Sequence, residues 1–127
     1  MEKEKIKAFA QDTLGCGCPE GVFQHIECNT NVNREGHDIL YDINIGNRLL
    51  IYVVSLDRPD SMKEMLPALI AAGKRARDGS GFNRFRLVVA TDDDKTVKKV
   101  AEEIFRNMQT DEKIHLHVLP KDRIPQF

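Results

Sequence analysis

Nineteen consecutive residues constrain this chain more than any others. From Asp38 to Ile45 apolar and polar side chains alternate, with Ile39, Tyr41, Ile43 and Ile45 on one side. This is the pattern of a strand with one buried face. Arg48 to Leu56 follows as a nearly unbroken apolar run rich in β-branched residues, as a strand buried on both faces requires. Gly46-Asn47 between them tolerates positive φ, so the two strands are expected to form a tight hairpin. A strand buried on both faces needs cover from two sides, so the remaining chain must supply a layer above the sheet and a layer below it.

The flanking segments supply that cover. Residues 2–14 space Ile6, Phe9, Ala10 and Leu14 as one helical stripe, and Gly15 and Gly17 stop it. Pro19 suits the first position of a second helical turn, from which Val22, Phe23 and Ile26 face inward. Ile26 to Val32 is expected to be a short strand. Ser61-Met62-Lys63-Glu64 has capping-box spacing and opens a helix that runs to about Arg77, with Pro67 kinking or restarting it and Gly79-Ser80-Gly81 ending it. Phe85 to Thr91 is a buried strand, and Asp92 to Asp94 opens a helix with a stripe from Val97 to Met108. Lys113 to Leu119 alternates as a last strand before Pro120.

The order is α-(α)-β-β-β-α-β-α-β, which predicts an α/β domain, bordering on α+β, over residues 1–127. An antiparallel meander and two β-α-β crossovers would form a mixed sheet of about five strands, with helices packed on it. Over residues 20–91 this order resembles the core of restriction-endonuclease-like nucleases. That resemblance implies an acidic residue on the second strand, a place that Asp42 can take, and an acid-x-lysine triplet on the third. The third strand reads Leu50-Ile51-Tyr52-Val53-Val54 and has neither, so cleavage by that mechanism is not expected.

Nineteen basic and twenty acidic residues leave a net charge of −1, which excludes a global field drawing the protein onto nucleic acid or an anionic membrane. The longest apolar runs, near six residues, are too short to span a membrane. The charged start Met1-Glu2-Lys3-Glu4-Lys5 differs from a secretory leader. With three cysteines and no export signal, the thiols are expected to be reduced and cytoplasmic, or metal-bound.

Reactive groups concentrate at Cys16-Gly17-Cys18-Pro19, with His25 and Cys28 close behind. Cys18 and Cys16 form a candidate redox pair, Cys18 as the low-pKa nucleophile ahead of a helix start and Cys16 as the resolving thiol. Alternatively Cys16, Cys18, Cys28 and His25 form a four-ligand set for zinc, or the three thiolates hold an iron–sulfur cluster. The same cysteines also suit small core positions in a glycine turn.

Three further groups have both a functional and an ordinary reading. His115 and His117 share a strand face and can chelate a metal, or simply form a polar face. Asp57-Arg58-Pro59-Asp60 and Asp92-Asp93-Asp94 end parallel strands where Mg²⁺ and a phosphate can bind, or cap the next helices. Lys74, Arg75, Arg77, Arg84 and Arg86, interleaved with Phe82 and Phe85, have a composition that single-stranded nucleic acid uses, or are a solvated surface.

The sharper functional expectation is a small cytoplasmic thiol-redox or transition-metal-binding protein acting through the Cys-Gly-Cys-Pro turn. The alternative is a non-catalytic module that docks protein or nucleic acid, a second copy of itself included. No serine-histidine-aspartate order, metalloprotease helix or dinucleotide fingerprint is present. The turn is expected at the amino edge of the sheet, near the hairpin and Arg48, with the acidic loops at the opposite edge.

Overall fold

In the computed structural model, which describes residues 3–15, 17, 19–34, 36–108, 110 and 112–127 (Pro59 by its backbone only), the hairpin forms as the alternation requires. Strand β1 (Ile26–Arg34), β2 (His37–Ile45) and β3 (Leu49–Ser55) form an antiparallel meander. Gly46 (φ +62°) and Asn47 (φ +56°) are both left-handed, and with Ile45 paired to Leu49 the connection is a three-residue loop, 46–48. The Asn44 side chain fastens that turn by accepting the Asn47 N–H at 2.8 Å.

Strand β4 (Arg84–Thr91) and β5 (Ile114–Pro120) add to β3 in parallel, so the sheet order is β1-β2-β3-β4-β5. Helices α2 (Pro59–Ser80) and α3 (Asp94–Arg106) make the two crossovers, pack on each other and cover one face. Their apolar sides meet Leu50, Tyr52, Val54, Phe85, Leu87, Val89 and Ile114. The other face is covered by α1 (Lys3–Ala8), which continues as a π-helical stretch over Phe9–Thr13. Ile6, Phe9, Ala10, Leu14 and Phe23 there bury Ile43, Ile45, Leu49, Ile51, Val53 and Val88. Phe127 stacks edge-on against Phe9 and Tyr41, fastening the C-terminal tail to the same layer. Every residue from Leu49 to Val54 is buried, as the two-sided reading of that run demands.

The boundaries depart from expectation in four places. β1 extends to nine residues rather than ending at Val32. The Ser61 capping box does not form: α2 begins two residues earlier at Pro59, whose fixed φ suits a first helical position, and no side chain caps it. Pro67 lies inside one continuous helix that ends at left-handed Gly81, φ +77°. Pro19 is extended rather than helical, and only a five-residue 3₁₀ turn, Glu20–Gln24, follows it. No described helix is long and apolar enough to cross a membrane.

Candidate functional site

The register of the parallel strands creates a site at their amino edge. Arg48, closing the hairpin, accepts at its carbonyl from the N–H groups of both Asn83 (2.8 Å) and Arg84 (3.0 Å), which binds the hairpin end to the start of β4. Phe85 and Leu87 face the α2/α3 core, so Arg84 and Arg86 must face the other way. Arg86 pairs across the sheet with His115, and Val88 with His117, so both imidazoles share that face.

On that side the chain turns at Gly15 (φ +72°) after the N-terminal helix. It then runs through Gly17 and Pro19 into the 3₁₀ turn, which an ion pair from Lys7 to Glu20 ties to α1. Gly17, Pro19, Val22 and Leu49 wall one part of a cleft of about 420 Å³; Arg48, Asn83, Arg84, Arg86 and His115 wall the rest. Among the described residues, the lining contains no carboxylate.

Arg86 is only 8% exposed. Its Nη1 donates to the Leu14 carbonyl at 3.0 Å and lies 2.8 Å from His117 Nε2. Arginine has no acceptor, so His117 Nε2 must be the unprotonated nitrogen. Burial, with Arg86 and His115 alongside, lowers the His117 pKa to about 4, consistent with a neutral ring. Burial and the Arg86 and Arg84 charges likewise lower His115. Burial and Arg84 lower the pKa of Arg86 itself. Among the described residues, the buried Arg86 Nε and His115 Nε2 have no hydrogen-bond partner.

Cys16 and Cys18 lie outside the described residues, but Gly17 and Pro19, the neighbours on either side of Cys18, line this cleft together with Arg48. His25 and Cys28 do not. His25 is exposed, with Nε2 3.3 Å from Glu27 Oε1. Cys28 is half-buried on β1 and packs against the α1-side core, where burial pushes its thiol pKa up. No group of three histidine, cysteine or acidic side chains gathers to hold a metal among the described residues. The His115/His117 pair does share a face, but Arg86 occupies the His117 nitrogen that a metal would need.

The acidic loops lie at the opposite edge, where they satisfy each other. Asp57 accepts from the Asp92 N–H at 2.9 Å and the Thr91 hydroxyl at 3.3 Å. Lys121 Nζ, which sequence reasoning missed, bridges Asp57 (2.7 Å) and Asp92 (3.3 Å) and holds the Asp57 carboxyl below its ordinary pKa. Asp93 caps α3 through the Thr96 N–H at 3.4 Å. Asp60 and Arg58 are exposed.

The basic cluster divides between the two faces of the sheet. Arg77 is buried on α2 and pairs with Asp78 at 3.1 Å, on the far side from Arg84 and Arg86. Phe82 and Phe85 both pack into the α2 core, so no aromatic platform accompanies the arginines. Asp42, the acid implied by the nuclease resemblance, pairs with Arg34 at 3.0 Å opposite Tyr52. No family model matches the chain, and no curated protein or solved structure matches it either.

Proposed function

We propose that the amino-edge cleft is a thiol–disulfide exchange site, with Cys18 as attacking thiolate and Cys16 as resolving thiol. One observation carries this reading: the residues flanking Cys18 line a cleft with three arginines and, among the described residues, no carboxylate. Such a field favours a thiolate over a thiol and lowers the cysteine pKa. The arginines take the role that a helix dipole had in the sequence reading, since only a short 3₁₀ turn follows Pro19.

The substrate class is a disulfide, R–S–S–R′. The Cys18 thiolate attacks one sulfur, forming a mixed disulfide and expelling R′S⁻, which takes a proton. The Cys16 thiolate then attacks Cys18 sulfur, closing the Cys16–Cys18 disulfide and releasing RS⁻. The protein loses two electrons and the substrate gains them. Such chemistry belongs to a reducing compartment, in keeping with a cytoplasmic location.

Iodoacetamide at about pH 6, well below the ordinary cysteine pKa, is expected to label Cys18 first. Cys18→Ser should abolish that labelling, and Arg48→Ala should slow it. Equal labelling of all three thiols only near their ordinary pKa would overturn the proposal. Zinc or iron in freshly purified protein, lost on Cys16→Ser, would replace exchange with metal binding.

A further inference from the structure

The cleft has a second property, independent of any cysteine. Arg86 is more than nine-tenths buried, yet neither it nor Arg48 or Arg84 forms an ion pair with a described residue. Its two partners, a carbonyl oxygen and a neutral imidazole, satisfy hydrogens without offsetting the charge. Beside it on the next strand, His115 keeps a buried ring nitrogen without a partner. Buried polar groups in native proteins almost always have partners, and a buried cation without a counter-charge is costly. Two adjacent exceptions on the wall of one open cleft indicate that the missing partner comes from outside the chain.

We infer that this cleft is built to bind an oxyanion, the phosphate or carboxylate group of a small molecule, against Arg86 and His115 with Arg48 and Arg84 at its mouth. A guanidinium fork matches either group, because both present two coplanar oxygens at the right spacing. His115 Nε2, buried and without a partner, is placed to supply a further hydrogen bond. At about 420 Å³ the cleft exceeds what a bare oxyanion fills, and Pro19, Val22 and Leu49 offer apolar surface for an organic body. The inference stands without the exchange reaction; if both hold, the disulfide substrate carries an anionic group.

Inorganic phosphate and acetate, titrated separately at constant ionic strength and followed by backbone amide shifts, are the probes. The expected result is saturable movement at Gly17, Val22, Asn83 and Arg84. Arg48→Ala and Arg84→Ala, both at exposed positions, should each weaken binding about tenfold, the loss of one charge-assisted contact. Arg86→Lys keeps the charge but not the fork and should weaken it further. If that buried variant does not fold, the two exposed ones decide. Tighter binding of phosphate or of acetate assigns the group.

Shifts no different from those caused by chloride, or affinity unchanged in both exposed variants, would overturn the inference. The Cys16→Ser/Cys18→Ser protein should keep full affinity, which separates this result from the alkylation experiment. Loss of binding in that protein would overturn the site as drawn.

Discussion

The two edges of the parallel strands both gather charged side chains and end in opposite states. At the carboxyl edge Asp57, Asp92, Thr91 and Lys121 satisfy one another across three segments. At the amino edge three arginines and His115 converge without a carboxylate among the described lining residues, and two buried nitrogens there remain unpaired. α/β folds usually bind ligands at the carboxyl edge. Here that edge is closed on itself, and the unbalanced charge lies at the other end of the strands. A group that already has its partners is accounted for by folding; one that lacks them is not.

The amino edge depends on its turn, so the largest effect is expected there. Gly46 is left-handed at φ +62°, and a Cβ on it would lie 2.5 Å from the Val22 carbonyl oxygen and 2.8 Å from the Val22 Cβ. Both the positive φ and the contact with backbone oppose a side chain. Gly46→Ala should cost about 3 kcal/mol in urea unfolding and displace Val22, a wall of the cleft. An unchanged unfolding midpoint would mean that the hairpin end and the Val22 turn are not rigidly joined, and that the cleft is less preformed than its geometry implies.

The same turn was legible in sequence because its signals are local: alternation, a Gly-Asn pair and an apolar run. The five-strand order followed for the same reason. The site was legible only in part. Arg84-x-Arg86 and His115-x-His117 share a two-residue spacing, which places each pair on one strand face. Only the β4–β5 register brings the two pairs together. Linear proximity misled in the other direction, joining Arg77 to Arg84 although a helix and a strand send them to opposite faces. The capping box failed because Pro59 starts α2 before Ser61 can cap it. Lys121 was missed because its partners are 64 and 29 residues away.

The contrast between edges also has a signature in pH. His117 has a folded pKa of about 4 against an ordinary 6.5, because burial and Arg86 disfavour its cation. The unfolded chain therefore binds more protons between those values, and stability must rise with pH across that window. It is full above about pH 6.5 and falls as pH drops toward 4. Discounted for the ring's partial exposure, the contribution is about 2 kcal/mol. His117→Phe should flatten the dependence of the urea midpoint between pH 7 and pH 4.5. A wild-type midpoint that stays level over that range would show that His117 protonates freely and that the amino edge is more solvated than described.

The smallest effect is expected at the closed edge. Asp57 is exposed and Lys121 partly so, and ion pairs between such groups are screened by water and salt. Asp57→Asn removes the charge and keeps an oxygen that can accept from the Asp92 N–H, so the loop should hold its shape and the unfolding midpoint should move least of the three. What remains is a pH dependence of the opposite origin to that of His117. A carboxyl held below its ordinary pKa stabilises the fold above its unfolded value, and that stability is lost as pH falls through the folded pKa. Asp57→Asn should therefore cost a little stability at neutral pH, with the difference from wild type vanishing in acid below the His117 window, and should leave phosphate shifts at Gly17 and Arg84 untouched. A large loss at neutral pH, or a change in phosphate affinity, would mean that the two edges are coupled through β4 and are not separately built.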